Sequence, residues 1–216
     1  METQNNYALV SGRVAGPARY SHHMYGEGFY EFTLLVKRLS EFEDEVPVTV
    51  SERLMENNNI VPGAMITVEG QFRSYNKFDG ERSRLMLSVF ARNLYPYEES
   101  ENPNVVELVG YICKEPIYRT TPFQREICDL LLAVNRSYNK SDYIPCIAWG
   151  RNARFLASLC VGDKLEISGR IQSREYNKQT ESGQITKTAY EVSVNKVVLD
   201  ERNQEFRLEA GAELNE

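Results

Sequence analysis

The 216-residue chain is short of the side chains that most catalytic and metal sites use. Its two histidines, His22 and His23, are adjacent, and its four cysteines are Cys113, Cys128, Cys146 and Cys160. No two cysteines form a C-x-x-C pair, so with so little histidine no zinc site is expected, and no other cofactor either. Beyond residue 23 there is no histidine to activate a Ser or Cys nucleophile. No phosphate-binding glycine pattern occurs, and no carboxylate cluster has metal-ligand spacing, so the chain does not read as an enzyme. No run of 18 apolar residues is present, which gives no membrane span. The opening METQNNYALV lacks the basic segment and apolar stretch of a signal peptide. The expectation is a reduced cytoplasmic protein with buried thiols. Positive charge is in deficit as well. A net charge of −6 argues against bulk binding of duplex DNA.

What the sequence does contain is a long internal repeat. Asn6 and Asn104 each open an apolar run that reaches a glycine, Gly12 or Gly110. Arg38 and Arg136 each end a strand-like run, and Pro47 matches Pro145; all four matches keep an offset of 98. Gly63 and Gly70 match Gly162 and Gly169 at offset 99, and Tyr75-Asn76-Lys77 matches Tyr176-Asn177-Lys178 at offset 101. Small offset changes between long matched blocks are what loop insertions produce in a duplicated domain. The period is too long for a solenoid unit, so each copy is a small domain. The expected organisation is a first domain over 1–95, a linker over 96–103, a second domain over 104–200 and a short acidic tail over 201–216. Charge is uneven between them: net −5 over 1–101, +2 over 102–200 and −3 over the tail. The second copy is the one that could tolerate a polyanion.

Each copy reads as five strands and one short helix, an all-β class with short helices. In the first copy the strands are near 7–15, 29–37, 46–51, 64–76 and 83–94, with a weak helix over 52–59. In the second they are near 105–113, 126–135, 143–149, 164–177 and 186–199, with a helix over 151–160. Three strands, a helix and two strands in about a hundred residues describe an oligonucleotide/oligosaccharide-binding (OB) barrel. Strand count alone does not choose it over another small barrel or sandwich.

Alternation then assigns faces. Over 142–150, Tyr143, Pro145, Ile147 and Trp149 share one face, and Ile144, Cys146 and Ala148 the other. Over 164–176, Leu165, Ile167 and Ile171 suit a core, while Glu166, Ser168, Arg170, Gln172, Arg174 and Tyr176 line the outer face. Two arginines and a tyrosine on one face suit base stacking and phosphate contact. Each residue also has a plainer reading. Trp149 could anchor a core, Tyr143 and Tyr176 could be ordinary strand tyrosines, and Arg170 and Arg174 could pair with Glu166 and Glu175 on a solvated face.

In the order Asn104…Gly110, Leu132-Ala133-Val134-Asn135-Arg136, Asp142-Tyr143…Trp149-Gly150, Gly162-Asp163, Gly169-Arg170…Arg174…Tyr176 and Glu191-Val192-Ser193-Val194, the second copy resembles the bacterial single-stranded DNA-binding protein family. The resemblance implies two tandem five-stranded OB barrels and non-catalytic, largely sequence-independent binding of single-stranded DNA. It implies stacking on Tyr138, Tyr143, Trp149 and Tyr176, with Arg136 in the same motif. It also implies four barrels per assembly, hence a homodimer of this chain, with replication or repair proteins as further partners. The long linker and Pro-Phe tip common in the family have no counterpart in 205–216. The first copy has Ser40, Glu45 and Ser51 where the second has Tyr138, Tyr143 and Trp149. There only Arg73, Tyr75 and Lys77 keep the platform, and Glu41, Glu43, Asp44 and Glu45 crowd the groove entrance. The other function class is a replication-accessory assembly module whose acidic first copy docks a basic partner. RNA is a third option, because stacking ignores the sugar.

Overall fold

A computed structural model describes residues 5–38, 40, 42–58, 60–80, 82–99, 102–180 and 183–200. The acidic tail expected over 201–216, and Glu41 of the acidic stretch, lie outside the described residues. The first repeat contains β1 (Asn6–Val14), β2 (Arg19–Met24), β3 (Glu27–Lys37), β4 (Glu43–Ser51), α1 (Glu52–Glu56), β5 (Met65–Asp79) and β6 (Arg82–Pro96). The second contains β7 (Asn104–Thr120), β8 (Glu126–Arg136), β9 (Lys140–Trp149), α2 (Gly150–Leu156), β10 (Lys164–Thr180) and β11 (Gly183–Leu199). The strand order β1-β5-β6-β4-β3 closes through a β1–β3 pairing, and β10-β11-β9-β8-β7 closes through β10–β7. Each repeat is thus a closed five-stranded ring with a short helix after its third ring strand, which is the expected OB arrangement.

The glycines that mark the repeat have a steric reason. A Cβ on Gly12 would run into the carbonyl oxygen of Leu35, and one on Gly110 into that of Ala133. Leu35 and Ala133 are themselves 98 residues apart, so the same strand crossing is built twice. Only glycine lets the first strand of each barrel approach its neighbour this closely.

Packing divides the chain into two compact units. One is built on Glu107–Gly169 with residues 193–200; the other is Tyr7–Val106 with Arg170–Val192. The outer half of the β10–β11 hairpin therefore packs with first-repeat residues. In the first-repeat unit, Val10, Leu34, Val36, Val46, Val48, Val68, Phe72 and Val89 are fully buried. In the other, Leu132, Val134, Ile144, Ala148, Ala153, Leu156 and Leu165 are. Ile144, Cys146 and Ala148 on β9 and Leu165, Ile167 and Ile171 on β10 are buried as alternation assigns them, but Ile147, which alternation places on the outer face with Tyr143 and Trp149, is buried as well.

Several details differ from the sequence reading. β2 is an addition to the expected strands, none of which falls between 15 and 29. It pairs antiparallel with β3, and the turn between them has Tyr25 and Gly26 at φ 52° and 81°. Two consecutive residues with positive φ make the turn that matches strand twist in a two-residue hairpin. The helices stop early, α1 at Glu56 and α2 at Leu156. The thiols are not all buried either: Cys128 and Cys146 are, Cys113 is half-buried and Cys160 is exposed. Cys160 lies past the end of α2, where the expected helical spacing no longer holds. Among the described residues no helix is long and apolar enough to cross a membrane.

Candidate nucleic-acid interface

β9 carries the centre of the candidate site. Its inward residues Ile144, Cys146 and Ala148 are buried, which turns Tyr143 and Trp149 outward at 46% and 40% exposure. Trp149 is therefore not a core anchor. The β8–β9 ladder sets Tyr143 opposite Ala133 and Trp149 opposite Ile127, so both rings have small or aliphatic neighbours and keep an accessible surface. Tyr138 sits in the turn between these strands at 94% exposure, with φ 63°. A bulky ring in the left-handed region is an unusual choice for a turn residue, and Asn139 beside it, φ 53°, is a common one.

Trp149 also ends the strand and stands at the N-cap of α2, where it makes no side-chain cap bond. It borders an open recess of about 490 Å3 with Gln124, Arg125, Glu126 and Gly150. Glu126 accepts from the Tyr118 hydroxyl at 2.6 Å and from Arg154 Nη1 at 2.7 Å. The Tyr118 bond first, then the charge of Arg154, hold its carboxyl below the usual range; slight burial opposes them. The neighbouring turn presents Phe123 at 87% exposure, with Arg125 exposed beside it. The sequence reading passed over Phe123 and Arg125. Their signal was an aromatic and a cation inside the Thr-Pro-Phe-Gln-Arg break.

On β10 the outer face holds Arg170, Gln172, Arg174 and Tyr176, with Tyr176 at 38% exposure. The arginines do not pair with Glu166 or Glu175. Arg174 approaches Glu191 at 3.9 Å, and Gln172 donates to the same carboxylate at 2.6 Å. Arg170 Nη1 donates to Asp44 at 2.7 Å. Asp44, only 1% exposed, also receives Arg38 through Nε at 2.9 Å and Nη2 at 2.6 Å, and the backbone N–H of Ser173 at 2.8 Å. This corrects the picture of four acids crowding a groove: Asp44 points inward and is neutralised. Two guanidiniums on one carboxylate leave a net positive charge there. The second repeat keeps the first half of this design. Arg136 meets the fully buried Asp142 at 3.5 Å, and both residues lie 98 beyond Arg38 and Asp44.

In the first repeat, Arg73 lies 3.9 Å over the Phe90 ring and donates twice to Gln71 Oε1. The Tyr75 hydroxyl donates to Glu31 at 3.2 Å. Burial first, then the charge and hydrogen bond of Glu31, push its phenol up to about 12. Lys77 is exposed further along β5.

The single-strand binding protein family matches residues 103–200. The chain is 34% identical over 107 residues to single-stranded DNA-binding protein 3 of Streptococcus agalactiae, covering 46% of this chain and 76% of that protein. It is 37% identical over 83 residues to single-stranded DNA-binding protein 1 of Staphylococcus aureus, covering 35% of this chain and spanning half the length of that relative. In structure it matches the wild-type single-stranded DNA-binding protein of Thermus aquaticus with a TM-score of 0.64 and 24% identity, over 90% of this chain and 92% of that one. The fold is a tandem pair of OB barrels, and the chain belongs to the single-strand binding protein family.

Proposed function

We propose that this chain binds single-stranded DNA without catalysis and with little sequence preference. The observation that carries the reading is the outer face of β9, where Tyr143 and Trp149 stand out from a strand whose other face is sealed in a core. Bases stack on Tyr138, Tyr143, Trp149 and Tyr176, because every base has a π-face and aromatic rings accept them without hydrogen-bond readout. Arg174 reaches phosphates from β10. Arg170 and Arg136 supply field more than direct contacts, since each already holds a buried aspartate. Arg73, Tyr75 and Lys77 form a lesser platform on β5. The functional domains are 1–95 and 104–200 joined by 96–103. Two chains associate to bring together four barrels, in the cytoplasm, where replication or repair proteins meet the bound strand.

The lone tryptophan gives the test. Titrating oligo(dT) should quench Trp149 fluorescence to saturation, and a duplex of equal length should not. Trp149→Ala should weaken binding by about 1–3 kcal/mol while circular dichroism stays unchanged. No quenching, or unchanged affinity in the folded variant, would remove β9 from the site.

A further inference from the structure

The loss of stacking residues from the first repeat looks different once strand register is considered. The β8–β9 ladder places Ile127 opposite Trp149; the β3–β4 ladder places Phe29 opposite Ser51. Positions 29 and 127 correspond at offset 98, and so do 51 and 149. The aromatic residue of this facing pair is on β9 in the second repeat and on β3 in the first. Facing residues in an antiparallel ladder have Cβ atoms about 4.5–5.5 Å apart, so the exchange moves the ring by one strand and keeps it on the same barrel face.

We propose that Phe29, with His22, Phe90 and Arg73, forms a second base-stacking site on the first repeat for unpaired nucleobases of single-stranded DNA. The proposal rests on the reading of the chain as a single-strand binder. Phe29 is partly exposed on the outer face of β3, whose inward residues Gly28, Phe32 and Leu34 are buried. His22 stacks on it from β2 with ring centroids 5.0 Å apart and planes at 11°. Phe90 lies 5.7 Å from it on the other side, tilted by 36°. Arg73 covers Phe90, so the row ends in a cation that can stack on a base or meet a phosphate. Ser51, which faces Phe29 across the ladder, is buried, and its hydroxyl is occupied in accepting the Leu54 N–H at the start of α1. β2, absent from the sequence reading, is what brings His22 into the row.

Acidic groups set the character of the site. Glu31 lies beside the row and accepts from Ser21 at 2.8 Å and from Tyr75 at 3.2 Å. Its charge opposes phosphates, so this site works through stacking more than through charge, and its contribution persists at salt concentrations that weaken phosphate contacts.

The test uses the full-length chain. In a Trp149→Phe/Phe29→Trp double variant the only tryptophan reports position 29. Saturating quenching by oligo(dT) supports the site. An unquenched signal, while fluorescence anisotropy of a labelled oligo(dT) shows that the chain binds, overturns it. Phe29→Leu keeps apolar bulk and removes the ring. It should weaken binding of a long oligo(dT) by between about 5-fold and 150-fold, and wild-type affinity in this variant would also overturn the site. The wild-type Trp149 signal is read separately. Quenching of Trp149 with no effect at position 29 removes this site alone. Quenching at position 29 with none at Trp149 removes the β9 reading instead.

Discussion

Tyr75 shows how one residue links the platform to solution behaviour. Its hydroxyl is held by Glu31 and its ring is partly buried, so its phenol is raised from 10 to about 12. A folded-state value above the unfolded one contributes stability that is fully present below about pH 10. That stability is lost as pH rises through about 12. In an ultraviolet difference titration of wild type against Tyr75→Phe, the missing tyrosine should ionise late, near pH 12. Glu31→Gln should bring the transition down but leave it above 10, because burial is the larger cause. A Tyr75 that titrates at 10 in wild type would show that Glu31 and burial do not act on it. At this scale the sequence was informative about type and poor about partners. It set Arg73, Tyr75 and Lys77 on one platform by their match to the second copy. It could not show that Glu31, 44 residues away, would take the Tyr75 hydroxyl, or that Arg170 would find Asp44 at a separation of 126 residues.

At the scale of elements, the repeat was legible because it is written in glycines and strand ends, and those answer to local sterics. The facing-pair exchange of Phe29 and Trp149 was not, because comparison along the chain aligns like positions and is blind to the residue across the ladder. α1 and α2 show what the exchange does to the helices: Ser51 caps one, and Trp149 gives the other no side-chain cap. A cap is worth about 1 kcal/mol, which the second repeat forgoes at the position where a ring is exposed. The hairpin β10–β11 is tied by its own device, the Asp44 carboxylate with donors from Arg38, Arg170 and Ser173. Asp44→Ala leaves two cations facing each other over an empty site. Both arginines are partly solvated, so the cost is put at about 1–3 kcal/mol, below that of a fully buried pair. Amide hydrogen exchange should localise it, with protection falling in Arg170–Val192 and unchanged in β8 and β9. A uniform loss across the chain, or none, would show that Asp44 does not anchor the hairpin.

For the whole molecule, the same hairpin decides how assembly must be tested. Because Arg170–Val192 packs with first-repeat residues, cutting the chain at 96–103 would strip Arg170 of Asp44 and disturb the outer face of β10. Full-length protein is therefore the proper material. Two barrels per chain make a dimer the smallest assembly with four, and the duplication is the argument for it, since a tandem chain builds one barrel pair covalently and needs a single further association. Sedimentation equilibrium at micromolar concentrations should give twice the chain mass of 24.9 kDa. A mass of one chain across that range would rule the dimer out and leave a two-barrel binder. The dimer should also alter binding beyond mass. A strand long enough to reach both chains meets linked sites, so its second contact is intramolecular and its affinity exceeds that of a short strand by far more than the ratio of lengths. Its dependence on salt should steepen in step, by about 0.7 in log–log slope for each further phosphate neutralised. If sedimentation gives a dimer but long and short oligo(dT) share one slope, the barrels associate without forming a continuous track, and the four-barrel assembly has no role in holding the strand.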